Sequence, residues 1–158
     1  MNKSLWTTAL AAAALLLGAA FAAAQQFGSA AEAKSMLDRA SAALKANEAT
    51  ALGQFNDKSN TQFHDRDLYV FCFDMADGKF TAHVNPALMG SDVRALKVNG
   101  QPIGEMIYAA AKEGSVATVD YNFPKPGTTE PVPKESYMPQ RRRARSACAA
   151  TADAAGYL

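Results

Sequence analysis

The segment Leu68-Tyr69-Val70-Phe71-Cys72-Phe73-Asp74-Met75 constrains this chain more than any other. It is dense in β-branched and aromatic residues, the composition of a strand. Alternate side chains of an extended segment point to opposite faces, which puts Tyr69, Phe71, Phe73 and Met75 on one side and Leu68, Val70 and Cys72 on the other. Neither side suits water, so the strand must be central in a sheet and covered on both faces. Ala76-Asp77-Gly78 has hairpin-turn chemistry and leads into a second, antiparallel strand from Lys79 to His83.

Upstream, Ser29-Ala30-Ala31-Glu32 is a capping-box pattern that starts a helix. Ala33, Met36, Leu37, Ala40 and Leu44 recur at helical spacing, and Ala51 and Phe55 resume the same face. The spacing predicts one long amphipathic helix, weakened in its second half by Asn47, Glu48 and Gly53, and ended by the polar run Asn56 to Asn60. Its stripe is rich in alanine, which permits close approach to a flat partner such as a sheet. Downstream, Asn99-Gly100 marks a turn, and Pro102 opens a shorter helix ending near Gly114 with Ile103, Met106, Ile107 and Ala110 as its apolar stripe. Ser115 to Phe123 alternates as a third strand, and Lys134 to Met138 begins a fourth, its approach kept extended by Pro131 and Pro133.

At 158 residues, with 16 Lys+Arg against 15 Asp+Glu, the chain has room for one domain and no bulk charge that would draw it to nucleic acid. Residues 1–24 read as a secretory signal peptide: Lys3, an Ala/Leu stretch from Ala9 to Ala20, then a small-x-small pattern ending at Ala24. The stretch is too short and too alanine-rich for a stable membrane anchor. The expected product is exported, periplasmic or secreted, with no stable membrane insertion after cleavage. The other end departs from the pattern. Gln140 to Arg145 carries four arginines, and Ser146 to Ala155 is alanine-rich with no β alternation, which does not suit a closing strand. Such an abrupt Arg/Ala run is what high-GC coding sequence gives out of frame, so residues 138–158 read as an atypical tail after a domain at 25–137, or else as a weak last strand.

A long helix, a strand, an Asp-Gly hairpin, a short helix and further strands make an α+β, PAS-like antiparallel sheet. The words Leu68 to Asp74, Asp77-Gly78-Lys79-Phe80-Thr81-Ala82-His83, Asn85-Pro86, Gly90, Val119-Asp120-Tyr121 and Lys134-Glu135-Ser136-Tyr137 resemble the single Cache domain family. The resemblance runs from about Ala31 to Tyr137. It implies an extracytoplasmic sensor module that binds a small metabolite, often an organic acid, between the sheet and its connecting segments, with a separate membrane receptor as partner. In that family's sheet the first and last strands are neighbours. The resemblance therefore makes a Cys72–Cys148 disulfide geometrically feasible in an oxidising compartment.

The ligand-binding candidates that follow are Lys134, Tyr121 and Tyr137 as cation or phenol donors to a carboxylate, His83 at the pocket mouth, and Phe71 and Phe73 as apolar wall. Lys134 and Tyr137 lie three apart and should face opposite sides of the sheet. Against these stand the plainer readings of a solvated lysine, a structural histidine and core aromatics. With only His64 and His83 as imidazoles, and the Asp74 to Gly78 run lacking a closing glutamate, neither a metal nor a cofactor is expected. No nucleophile–base arrangement stands out, so the chain is not read as an enzyme. Two other functions stay open: an envelope adaptor with a vestigial pocket, and an unrecognised periplasmic hydrolase.

Overall fold

The structure, a computed structural model, describes residues 27–113, 117–125, 127–139 and 146–153; the expected leader and the arginine run lie outside them. Ser29 and Glu32 form the capping box and open helix α1 (Ala30–Ala46). The expected single helix is two. Asn47 adopts extended backbone (φ −160°, ψ 109°), and its side chain accepts the amide of Thr50 to cap α2 (Glu48–Asn56). An asparagine at an N-cap supplies a better acceptor than a continuous helix could use, so the chain breaks there.

The sheet is antiparallel, with β1 (His64–Asp65), β2 (Leu68–Asp74), β4 (Ala117–Pro124), β5 (Pro131–Met138) and β6 (Ser146–Asp153) in the order β1-β2-β6-β5-β4; β3 (Phe80–Ala82) also pairs with β2. Between β3 and β4 run two single-turn 3-10 helices (Pro86–Leu88 and Val93–Ala95) and helix α3 (Ile103–Glu113). Gly78 (φ 77°) makes the β2–β3 turn, and Asn99 (φ 50°) with Gly100 (φ 79°) makes the turn before α3. Pro131 and Pro133 lie beyond the part of β5 that pairs with β6, where missing amide donors cost least.

The two faces of β2 divide the core as its alternation requires. Leu68, Val70 and Cys72 pack with Ala33, Met36, Leu37, Ala40, Leu44 and Phe55 of the helices. Tyr69, Phe71 and Phe73 pack with Phe80, Ile103, Ile107 and Met138 on the opposite face. In α3 the stripe is narrower than expected, because Met106 is 45 % exposed.

The largest correction concerns Ser146–Asp153, which is an inner strand of the sheet. Its register with β2 runs from Tyr69 opposite Thr151 to Asp74 opposite Ser146, and it pairs with β5 on its other side. Ladder hydrogen bonds on both edges overcome alanine's poor strand propensity. Bulk would not fit: Ala150 and Ala152 lie with Ala33 and Ala40 in the same cluster, where small side chains let α1 sit close to the sheet. Cys72 and Cys148 stand opposite one another in this register and form a disulfide, and the Ser146 hydroxyl donates to Glu48 at the start of α2.

Candidate functional site

On the face opposite α1, the strands carry side chains of unequal size. β2 presents Tyr69 and Phe71, and β4 presents Tyr121 and Phe123, whereas the inner strands present Ala149, Thr151, Ser136 and, opposite Tyr121, the long side chain of Lys134. Large walls beside a floor of mostly small residues leave a trough. Deep in it, a hollow of about 10 Å³, room for roughly one water molecule, lies between Tyr69, Phe71, Phe80, His83, Tyr121 and Phe123. Beside the β4–β5 loop lies a cleft of about 460 Å³ that shares Tyr69, His83 and Phe123 with the hollow and adds Asn85, Lys125 and Thr128 to its wall.

His83 lines both spaces and follows β3 directly. Its backbone amide donates to Asn56 Oδ1 at the end of α2 (3.3 Å), and its ring packs edge-on against Phe80 and Tyr69, with centroids 5.2 and 5.5 Å away. The amide of Asn85 donates to Nδ1 at 2.9 Å. A backbone amide can only donate, so Nδ1 keeps its lone pair and the proton of the neutral ring sits on Nε2. Nε2 hydrogen-bonds none of the described residues. Burial lowers the His83 pKa from 6.5 to about 4, with the charge of Lys134 acting in the same direction. The ring is therefore neutral near pH 7, with an N–H donor to offer.

Lys134 is neither solvated nor in the cleft wall. It is 1 % exposed, and Nζ lies 5.5 Å from the centre of the Tyr69 ring. Its charge is near enough to His83 to favour the neutral form of that ring. Tyr121 lines the deep hollow and shares a 2.6 Å hydrogen bond with the Ser136 hydroxyl. Phe71 lines it as well.

Two candidates lie elsewhere. Tyr137 is on the helix face, in the cluster with α1; its hydroxyl donates to Glu135, and Lys34 Nζ sits 4.8 Å from its ring centre. The three-residue offset from Lys134 does put the two side chains on opposite faces of the sheet, as expected. Phe73 is fully buried against Phe80 and Tyr108, beyond the hollow, because two further residues along β2 carry it under α3. Sequence reasoning missed Tyr69, Phe123, Lys125, Lys58 and Asn85 as cleft residues. For Tyr69 and Phe123 the alternation was a usable signal, since they share faces with Phe71 and Tyr121. The loop residues had none.

Residues 24–143 match the family model of Single Cache domain 2. The chain belongs to the single Cache domain family. Within it, this Cache domain is 32 % identical over 76 residues to methyl-accepting chemotaxis protein McpP of Pseudomonas putida, a stretch that is 48 % of this chain and 14 % of the receptor. It thus spans only a small part of that relative's length. Its fold is similar to a Cache chemosensory domain solved for the basis of carboxylic acid recognition (19 % identity, TM-score 0.58, 96 % of this chain and 99 % of that one). It also resembles the periplasmic sensor domain of a chemotaxis protein (21 %, TM-score 0.58, 96 % and 99 %). A methyl-accepting chemotaxis protein from Vibrio parahaemolyticus is similar at 20 % identity and TM-score 0.59, over 76 % and 84 % of the two chains. No described helix of this Cache domain is long and apolar enough to cross a membrane.

Proposed function

We propose that this Cache domain works outside the cytoplasm, after removal of the leader at residues 1–24, and binds a small organic carboxylate in its cleft for sensing or for delivery to a separate membrane receptor. One observation carries the reading. The Nε2–H of a neutral, nearly buried His83 is left as a donor at the cleft wall, beside Tyr69. A carboxylate entering there exchanges its hydration for a charge-assisted hydrogen bond, which is what a desolvated anion requires. The recognition of a carboxylic acid by a domain of the same fold agrees with this chemistry. Occupancy would close the trough and shift the equilibrium positions of the surrounding loops, with no bond made or broken.

Thermal-shift measurements on the full chain against short organic acids, amino acids and purines test the proposal. A carboxylate present at about 100 times its dissociation constant adds about 2.7 kcal/mol of stability and raises the melting temperature by several degrees. Substitution His83→Ala should abolish the shift. Stabilisation by purines alone, or by no compound in the panel, would contradict a carboxylate site.

A further inference from the structure

We propose that Asn56, the last residue of α2, is a positioning residue of the site: it sets where His83 stands, and a ligand held by His83 in turn secures the end of α2. The inference rests on the reading that a carboxylate meets His83, and it adds what aims that residue and what the occupied site acts on.

β3 pairs with β2 through a broken register. Cys72 stands opposite Ala82 and Phe73 opposite Phe80, so Thr81 has no opposite residue on β2. An extra residue of this kind turns the strand and leaves part of its backbone without a ladder partner. β3 ends at Ala82, and His83 follows at once. Asn56 supplies what the ladder lacks. Its Nδ2 donates to the Thr81 carbonyl at 3.0 Å, and its Oδ1 accepts the His83 amide at 3.3 Å. Nδ2 also donates to the Leu52 carbonyl, one turn back in α2, at 3.0 Å. Two carbonyls and one amide N–H fix which end of the side chain is oxygen. They also demand a carboxamide: aspartate would bring no donor to the carbonyls, and an aliphatic side chain would satisfy none of the three groups. The end of α2 is itself tied to the sheet at the neighbouring residue, where the Phe55 carbonyl accepts from His64 Nε2 at 2.6 Å. His83 is thus held at its backbone by Asn56 and at its ring by the Asn85 amide. A ligand that restrains His83 restrains Asn56 with it, because coupling between two sites is reciprocal.

Two variants of the full chain test this. Asn56→Ala removes all three hydrogen bonds from an exposed position, so no buried cavity follows. Asn47→Ala removes the cap at the other end of the same helix, where the side chain accepts the Thr50 amide, and so costs stability away from β3. Calorimetric titration with acetate, propionate and succinate is combined with hydrogen exchange of the α2 amides. The expected result is that Asn56→Ala weakens binding of the tightest of the three acids about fivefold or more, whereas Asn47→Ala leaves it unchanged. In the wild type that acid slows exchange over residues 52–56, and in Asn56→Ala the slowing is lost. An Asn56→Ala protein that binds as the wild type does, or a wild type whose amides at 52–56 ignore the bound acid, overturns the proposal and leaves the carboxylate site at His83 standing. So does an equal loss of affinity in the two variants, which would mark the effect as one of stability alone. Should Asn56→Ala fail to fold, exchange in the wild type decides. If none of the three acids binds the wild type, both readings fall together.

Discussion

The backbone amide of Asn85 donates to Nδ1 of His83 across 2.9 Å, and this contact fixes the imidazole as the Nε2–H tautomer at the wall of the cleft. It is a short-range device, since donor and acceptor are two residues apart in the strand-to-turn connection that Pro86 stiffens. The ring's other neighbours, Phe80, Tyr69, Phe71 and Phe123, come from three separate strands and pack it on its sides.

Acid should destabilise the fold through this residue. Burial holds the His83 pKa at about 4 against 6.5 for the free side chain, so between those values the unfolded chain binds more protons than the folded one. The associated stability is full above about pH 6.5 and is lost as the pH falls toward about 4, by up to about 3 kcal/mol. Urea unfolding of wild type and His83→Gln at pH 7 and pH 4.5 measures it. The wild type should lose about 2–3 kcal/mol more than the variant, and equal losses would contradict the assignment.

Reduction of Cys72–Cys148 should lower the melting temperature markedly. The bridge closes a separation of 76 residues between two neighbouring strands at the centre of the sheet. In the chain-entropy model a loop of that size is worth about 4 kcal/mol, which corresponds to a fall on the order of 10 °C in a domain of this size. Differential scanning calorimetry with and without reductant checks it, and an unchanged transition would contradict the bridge's role.

How much of this could be read from residues alone differs by element. The doubly covered strand β2, the Asp77-Gly78 hairpin and the capping box at Ser29 were legible because each depends on local chemistry: alternation, a glycine at positive φ, and a hydroxyl three residues before a glutamate. The strand β6 was not, because Ala147 to Ala152 carries no pattern of its own and becomes a strand only through partners far away in sequence, on β2 and β5. The candidate site divides in the same way. His83, Tyr121 and Phe71 follow from strand faces, whereas Lys125 and Asn85 reach the cleft through loop paths that no periodicity encodes. Lys134 was expected either at the ligand or in solvent. It is buried beside the Tyr69 ring, on the face of the sheet that carries Tyr121.

Gly104 is where α3 meets the 3-10 turn at Val93–Ala95, and a side-chain carbon there would overlap the carbonyl oxygen of Val93. Backbone cannot swing aside as a side chain can. Gly104→Ala should therefore cost about 2 kcal/mol or more by forcing α3 away from that turn, seen as a lower urea midpoint; an unchanged midpoint would contradict the close approach.

Arg66 fastens the start of α1 to the β1–β2 turn. Its guanidinium donates to the Phe27 carbonyl, to Glu32 and to Asp65, from a backbone at φ 56°. The Glu32 carboxyl is held down at about 2, first by the Ser29 amide and then by Arg66. In Arg66→Ala, NMR titration of Glu32 should show its pKa rising part of the way toward the usual carboxylate range, with the Ser29 contribution remaining. No rise would mean that the pair is not formed in solution.

The most direct test of the carboxylate site is the imidazole of His83 itself, followed by ¹⁵N–¹H NMR on selectively labelled protein near pH 7. Without ligand, the spectrum should be that of a neutral ring with its proton on Nε2. A saturating carboxylate should move that N–H proton downfield and slow its exchange with water, as a hydrogen bond to an anion requires. An Nδ1–H tautomer, or an Nε2–H signal indifferent to every carboxylate that stabilises the protein, would contradict it.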